Sequence, residues 1–270
     1  MSKIYLEQAL VYSNDEIAQD IFELRLETPA IASEHKPGQF INIQTNPGGL
    51  PLWRRPFSIA RISGDIIDII YKVIGTGTQQ MAALRPGDAA DIIGPLGNSF
   101  SVEIKSGTIP LLIGGGLGFA PLIILRDYFV HREITPVLFM GAVTKAEHYY
   151  LDDPQAELML TTDDGTLGHQ GLVTDSLQRY FEDAAGHQRF AAYSCGPEPM
   201  LAKVASVCRT HGIPLELSIE REMACGVGLC QGCAIEQLPP QKKYALVCKD
   251  GPIFNAEVLA FTDHTGSSND

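Results

Sequence analysis

One stretch near the middle of the chain decides how the central part folds. Residues 109–121 are IPLLIGGGLGFAP, an apolar run that leads into a glycine-rich turn. A membrane-spanning helix needs about 20 consecutive apolar residues, whereas this run is broken by glycines and prolines and is closed by Arg126 and Asp127. The pattern therefore predicts a buried strand, a tight turn and a helix, and no membrane span.

Strands and helices alternate on the C-terminal side of this turn. Alternation of this kind predicts a parallel sheet with crossover helices, and we assign this α/β unit to residues 105–215. The strand candidates are Ile109–Ile113, Val137–Met140, Leu158–Thr161 and Phe190–Ser194. The helix candidates are Phe119–Val130, Thr174–Phe181 and Pro197–Thr210.

On the N-terminal side, residues 1–104 are rich in strand signals. Phe22–Leu26 alternates apolar and charged residues, which is typical of a half-buried strand. Gln39–Thr45 and Ile66–Val73 are further strand candidates, and a short helix is expected at Thr78–Leu84. Short strands separated by turn residues predict a small antiparallel sandwich or barrel.

Four of the six cysteines fall within 24 residues of the C-terminal part. Their spacing is Cys225-x4-Cys230-x2-Cys233, followed after fourteen residues by Cys248. This is the plant-type spacing of thiolate ligands to a [2Fe–2S] cluster. The alternative is a zinc site with four cysteine ligands, although such sites usually pair two short C-x2–4-C motifs. We assign residues 216–270 to this third unit and expect its end, Thr262–Asp270, to be mobile.

The composition is that of a globular protein. The chain has 270 residues, of which 45% are apolar and 19% charged, which excludes a collagen-like or wholly disordered protein. Its net charge of −12 argues against nucleic acid as a partner. Residues 1–14 lack the pattern of a signal peptide, and the cysteines are few for a disulfide scaffold. We therefore expect a cytoplasmic protein.

Two segments of the α/β unit follow apolar strands, where ligands bind in open α/β sheets. The first is the glycine turn, whose backbone amides at a helix N-terminus suit a pyrophosphate; it comprises Gly114, Gly115, Gly116 and Gly118. It departs from G-x-G-x-x-G because Phe119 stands in the third position. The second segment is Cys195-Gly196-Pro197. For the first segment, the alternative is a tight turn that binds no ligand. For the second, it is a buried cysteine followed by a proline that starts a helix.

Two segments of the β-rich unit have the chemistry to hold a phosphate-bearing ligand. Arg55 can pair with phosphate oxygens, Pro56 stiffens the backbone, and Ser58 can bond a ring heteroatom. Gly77-Thr78 begins the predicted short helix, whose N-terminus attracts anions. Each segment alone is also typical of an ordinary strand or helix cap.

Taken in order, the motifs resemble the ferredoxin–NADP reductase superfamily. They are Arg55-Pro56-Phe57-Ser58, Tyr71-Lys72-Val73, Gly77-Thr78, the glycine turn, Cys195-Gly196-Pro197 and the four cysteines. Within the superfamily, the match is to the electron-transfer subunits of class 1B dihydroorotate dehydrogenase. The resemblance covers about residues 5–260 and is most specific in MACGVGLC (223–230) and CKDGPIF (248–254).

The resemblance implies three cofactor-binding units: an antiparallel FAD-binding β-barrel, a Rossmann-like NAD(H)-binding α/β domain and a small [2Fe–2S] domain. The implied FAD residues are Arg55, Pro56, Phe57, Ser58, Ile70, Tyr71, Lys72, Gly77 and Thr78. The implied NAD(H) residues are Gly114, Gly115, Gly116, Gly118, Cys195, Gly196 and Pro197. The metal ligands are Cys225, Cys230, Cys233 and Cys248. No acid–base catalytic residue is expected, because the cofactors carry the redox chemistry.

The resemblance also implies a partner. The three segments leave no stretch of ~250 residues for a substrate-oxidising (β/α)8 barrel. The resemblance implies that a separate FMN-containing catalytic subunit oxidises dihydroorotate, in a heterotetramer of two copies of each subunit that serves pyrimidine (UMP) biosynthesis. That subunit is expected to dock around Val227, Leu229 and Gln231. One alternative is a NAD(P)H–ferredoxin or sulfide-linked reductase subunit. The other, from a different class, is a zinc-stapled binding module.

Overall fold

The structure is a computed structural model that describes residues 3–45, 51–183 and 188–261. The predicted mobile segment, Thr262–Asp270, lies outside the described residues. Two seven-stranded sheets form the body of the described chain, and a two-stranded sheet lies in the cysteine-rich segment.

The first sheet is antiparallel and curls into the predicted barrel-like unit, with the strand order β4-β3-β7-β1-β2-β6-β5. It curls because its two edge strands, β4 and β5, are joined by only Ile59 and Ala60. Buried aliphatic residues fill its inside, among them Leu24, Ile41 and Ile67. The strands are β1 (Tyr5–Ala18), β2 (Ile21–Glu27), β3 (Phe40–Ile43), β4 (Arg55–Ser58), β5 (Arg61–Ser63), β6 (Ile66–Lys72) and β7 (Ala89–Leu96).

Two short helices accompany this sheet, α1 (Pro29–Glu34) and α2 (Thr76–Ala82). Helix α2 begins two residues before the predicted start at Thr78. The reason is local hydrogen bonding: the Thr78 hydroxyl accepts the backbone N–H groups of Ile74 (3.0 Å) and Gly75 (3.2 Å). Thr78 is therefore the third residue of the helix and closes its first turn.

The second sheet is parallel except at one edge, with the strand order β11-β10-β9-β8-β12-β13-β16. Its parallel strands are β8 (Thr108–Gly115), β9 (Val137–Ala142), β10 (Glu157–Thr162), β11 (His169–Gln170), β12 (Arg189–Cys195) and β13 (Leu215–Ser218). The crossover helices are α3 (Ala120–Val130), α4 (Val173–Asp183) and α5 (Glu198–Thr210). None of the helices in the described ranges is both long and apolar enough to span a membrane. The order of the strands switches at β8, with β9 to β11 on one side of it and β12 and β13 on the other, and ligands bind at such a switch point.

The cysteine-rich segment shares this second sheet. The predicted boundary at 215/216 falls inside β13, and β16 (Ile253–Asn255) pairs antiparallel with β13. Between them, β14 (Ala234–Glu236) and β15 (Tyr244–Leu246) form the small two-stranded sheet. The cysteine-rich segment is thus anchored at both ends to the α/β sheet.

One histidine of the barrel unit gives a prediction on acid stability. Both ring nitrogens of His35 are buried without a hydrogen-bond partner among the described residues, and this burial lowers the pKa of His35 from 6.5 to about 3. Below pH 6.5 the unfolded chain gains a proton that the folded chain does not take up until about pH 3. The free energy of unfolding therefore decreases as the pH is lowered through this window, by up to ~1.4 kcal/mol per pH unit.

We expect His35→Leu to remove part of this acid sensitivity. Urea unfolding at pH 7.5 and pH 5.5 measures it: the free energy of unfolding should fall by about 1 kcal/mol more in the wild type than in the variant. His131→Leu supplies the control, because it replaces an exposed histidine and removes no buried ring. Equal pH dependence in wild type and His35→Leu contradicts the prediction.

Candidate functional site

A cavity of about 790 Å³ opens between the barrel-like sheet and the parallel sheet. It is lined by all nine residues named for FAD: Arg55, Pro56, Phe57, Ser58, Ile70, Tyr71, Lys72, Gly77 and Thr78. The start of α3 and the segment after β13 also contribute to its wall, through residues such as Ala120 and Glu220. The fold thus brings together three segments that are far apart in the sequence.

Strand β4 presents one unpaired cation to the cavity. Arg54 forms an ion pair with Asp91 at 2.6 Å and is outside the cavity wall. The Arg55 guanidinium lines the cavity and donates to the carbonyl oxygen of Trp53 at 2.9 Å. Among the described residues no carboxylate pairs with Arg55. Its charge is free to bind an anionic ligand group.

Three of the cavity residues have their polar groups committed to the protein. The Tyr71 hydroxyl donates to Asn14 at 3.0 Å inside the barrel-like sheet, and burial raises the pKa of Tyr71 to about 12. Lys72 forms an ion pair with Glu147 at 3.0 Å, and Thr78 caps its own helix. These side chains shape the wall and leave few free polar atoms for a ligand.

One polar atom beside the cavity has no partner in the described protein. The Thr45 hydroxyl is buried and unpaired, and a Cβ on Gly77 would lie 3.3 Å from it. Buried hydroxyls without a partner are costly, so this position suits a cofactor that supplies hydrogen bonds. Sequence analysis missed Thr45, because a threonine at a strand end carries no signal of its own.

The glycine turn and Cys195-Gly196-Pro197 meet at the switch point of the parallel sheet. Gly114 and Cys195 are register partners on β8 and β12. A Cβ on Gly118 would overlap the carbonyl group of Cys195, and a Cβ on Gly115 would lie 2.5 Å from the Met200 sulfur. Close packing therefore explains these two glycines. Gly116 differs: it has a φ of +54°, and a Cβ there would meet no described atom within 4 Å.

This packing makes Gly118→Ala a test of the predicted NAD(H) site. The added methyl must push the turn away from the Cys195 backbone, and overpacking of this kind costs about 1–3 kcal/mol. We expect reduction of the flavin by NADH to slow by about 10- to 100-fold in stopped-flow absorbance, with FAD and iron retained. Gly212→Ala is the control for a strained glycine-to-alanine change outside the site, because Gly212, unlike Gly118, has a positive φ and has open space around it. Unchanged rates in Gly118→Ala would remove this turn from the site.

Glu220 and Arg221 follow β13 and connect the switch point with the cavity. The Cys195 thiol lies 3.9 Å from a carboxylate oxygen of Glu220, and burial raises the pKa of both groups. Arg221 forms an ion pair with Glu198 at the start of α5, at 3.1 Å. Glu220 and Arg221 line the cavity as well as a smaller one of about 180 Å³ beside Gly196 and Pro197.

Backbone N–H groups donate to the sulfurs of three of the four predicted metal ligands, Cys225, Cys233 and Cys248. Leu229 and Cys230 donate to the Cys225 sulfur at 3.3 and 3.4 Å, and Gly228 donates to the Cys248 sulfur at 3.2 Å. Burial acts to raise the pKa of Cys225, but these N–H groups outweigh it and lower the pKa to about 6. These N–H groups stabilise the thiolate of Cys225, the form that binds metal, whereas burial raises the pKa of Cys248 to about 12.

The sulfurs are arranged in two pairs. The Cys230 N–H donates to the Cys225 sulfur at 3.4 Å, and the Cys248 N–H donates to the Cys233 sulfur at 3.4 Å. Within the described ranges, no three His, Cys, Asp or Glu side chains are placed to hold one metal ion. Two pairs of sulfurs suit a [2Fe–2S] cluster, in which each iron takes two protein ligands.

One side of this loop faces solvent. Cys230 is exposed, and Leu229 beside it is 80% exposed. Cys233 and Cys248 are buried. The loop therefore presents an apolar side chain at the point where a metal ligand reaches the surface.

The sequence of this chain is similar to a described protein family and to named relatives. Residues 220–260 match a family model described as the iron–sulfur cluster binding domain of dihydroorotate dehydrogenase B. The chain is 37% identical over 256 residues to the dihydroorotate dehydrogenase B (NAD(+)) electron transfer subunit of Geobacillus thermodenitrificans, covering 93% of this chain and 96% of that one. It is 34% identical over 257 residues to the subunit of the same name from Fusobacterium nucleatum, covering 93% and 97%.

Solved structures with the same fold are also found. An NADH-dependent reduced ferredoxin–NADP oxidoreductase, studied for flavin-based electron bifurcation, superposes with a TM-score of 0.82 at 27% identity over 94% of this chain and 90% of that one. The ferredoxin reductase of carbazole 1,9a-dioxygenase superposes with a TM-score of 0.66 at 22% identity, over 79% and 69% of the two chains. The second likeness concerns the fold alone.

Proposed function

The chain belongs to the family of dihydroorotate dehydrogenase B electron transfer subunits, and from that premise we propose which of its residues hold each cofactor. It is an oxidoreductase subunit with FAD, a [2Fe–2S] cluster and NAD(H), and it passes electrons between NAD and a catalytic dihydroorotate dehydrogenase subunit in pyrimidine biosynthesis. When bound, FAD exchanges two electrons with the nicotinamide and single electrons with the cluster.

FAD occupies the 790 Å³ cavity in this proposal, which rests on one observation above all: the nine residues named for FAD line that single cavity. Arg55, the unpaired cation of the wall, binds the phosphates. Phe57 and Ser58 lie along the flavin. Gly77 allows close approach beside the unpaired Thr45 hydroxyl.

NAD(H) binds at the switch point, against Gly114, Gly115, Gly116 and Gly118 and the Cys195-Gly196-Pro197 loop. The register pairing of Gly114 with Cys195 and the open space at Gly116 support this assignment. Cys225, Cys230, Cys233 and Cys248 bind the cluster.

The FMN-containing catalytic subunit docks over the cluster loop, in a heterotetramer of two copies of each subunit. The exposed Leu229 beside the exposed ligand Cys230 supports this position, because the cluster comes nearest to solvent, and so to a partner's cofactor, at that point of the chain. The three cofactor units take residues 1–104, 105–215 and 216–270. We place the complex in the cytoplasm, since four cysteines must stay reduced to bind iron.

Co-purification tests the proposal. The tagged chain is isolated from its native cells and assayed for NAD(+) reduction by dihydroorotate, which should occur together with a bound FMN protein. Leu229→Glu should abolish that activity and release the partner, while reduction of the bound flavin by NADH is unchanged. If NADH reduces the flavin of the wild-type protein but no FMN protein co-purifies with it, a ferredoxin-linked role is favoured instead.

A further inference from the structure

Asn42 is a buried polar residue in the middle of the site that no motif indicates. It lies on β3, with 0% of its surface exposed, and is the register partner of Pro56 on β4 and of Ile93 on β7. Its neighbours on the same strand, Ile41 and Ile43, pack into the inside of the barrel-like sheet. Because side chains alternate along a strand, Asn42 is directed to the opposite face.

The side-chain amide of Asn42 has no hydrogen-bond partner among residues 3–45, 51–183 and 188–261. Neither its nitrogen nor its oxygen is paired there. A buried amide without a partner costs about 1–3 kcal/mol, so we expect it to meet a partner in the functional protein. A bound cofactor can supply that partner.

The position of the amide identifies that partner. A Cβ on Gly226 would overlap the Asn42 amide nitrogen and would lie 3.1 Å from its Cγ, so the amide rests against the backbone next to Cys225. Asn42 does not line the cavity assigned to FAD. The nearest cofactor is therefore the cluster, and a sulfur there can accept an N–H hydrogen bond.

We propose that Asn42 is a positioning residue for the cluster: its side-chain N–H donates to a sulfur at the Cys225 end of the [2Fe–2S] group and favours the reduced cluster. This inference rests on the proposed cysteine ligand set. The reduced cluster carries one more negative charge, and hydrogen bonds to its sulfurs are one of the means by which a protein raises its potential. Asn42 lies on β3, which pairs with β4 of the flavin segment, and its amide contacts the loop that holds the cluster.

Redox titration followed by electron paramagnetic resonance tests the proposal. Asn42→Leu removes the amide at similar volume, and Asn42→Asp replaces the donor by an acceptor. At a fixed potential the ratio of reduced to oxidised cluster should fall by about 2- to 10-fold in both variants, as expected for one lost hydrogen bond. The flavin midpoint should not move.

Asn98→Ala is the matched control. Asn98 bonds the carbonyl oxygens of Asp250 (3.1 Å) and Ile253 (2.8 Å), so its loss loosens the same C-terminal segment without removing a donor near Cys225. It should lower stability and leave the cluster potential at the wild-type value. A shift of equal size in Asn98→Ala would mean that Asn42 acts only through packing.

A second measurement keeps the test decisive if the Asn42 variants fail to hold iron. Wild-type protein labelled with ¹⁵N in asparagine side chains should give a nitrogen coupling to the reduced cluster in pulsed paramagnetic resonance. Absence of that coupling, or unchanged potentials in both variants, overturns the role of Asn42. Absence of any [2Fe–2S] signal in the wild type instead overturns the ligand set.

Discussion

Cys230→Ser is expected to lose the [2Fe–2S] cluster and to keep FAD. Cys230 is the exposed member of the Cys225–Cys230 pair, so the change removes one of four ligands without opening the core. A serine hydroxyl stays protonated at neutral pH, whereas iron–sulfur clusters are held by thiolates. The cavity residues are untouched, so NADH should still reduce the bound flavin at the wild-type rate.

The measurement is the paramagnetic signal of dithionite-reduced protein together with the ratio of iron to FAD. Ferricyanide reduction, which draws electrons from the flavin, should persist, while transfer to the catalytic subunit should fall to background. Cys208→Ala is the control: Cys208 is buried in α5, outside the ligand set, and its variant should keep the cluster. A full signal in Cys230→Ser would mean that the ligand set is wrong.

Arg55→Ala is expected to weaken FAD binding by about 10- to 100-fold. Hydrogen bonds to charged groups contribute about 1.5–3 kcal/mol, and each 1.4 kcal/mol is tenfold in affinity. Arg55 is the cation of the cavity wall without a carboxylate partner among the described residues. Its removal leaves the fold intact because it breaks no ion pair.

Titration of the apoprotein with FAD, followed by flavin fluorescence, gives the affinity. Arg54→Ala is matched to this test by chain position and chemistry: it breaks the half-exposed ion pair with Asp91, worth about 0–1 kcal/mol of stability, but it does not touch the cavity. It should bind FAD as the wild type does. If Arg54→Ala loses as much affinity as Arg55→Ala, the effect is one of β4 geometry and not of phosphate recognition.

Sequence analysis identified the elements whose pattern is local. The strand, turn and helix around residues 109–121 and the spacing of the cysteines depend on neighbours in the chain, and the structure has β8, α3 and the paired sulfurs there. Strand β1 was not recognised individually, although it spans Tyr5–Ala18. Leu6 is 67% exposed on it while Val11 is buried, so apolar residues lie on both faces and hide the alternation.

The chemistry expected of this protein could be inferred from short segments, because the thiolate spacing, the glycine turn and the flavin motifs are each local. How these segments meet is seen only in the folded chain. It pairs Gly114 with Cys195, joins β16 to β13, and sets Asn42 against Gly226. The physical reason is that strand pairing and close packing depend on residues far apart in the chain, which no local pattern encodes.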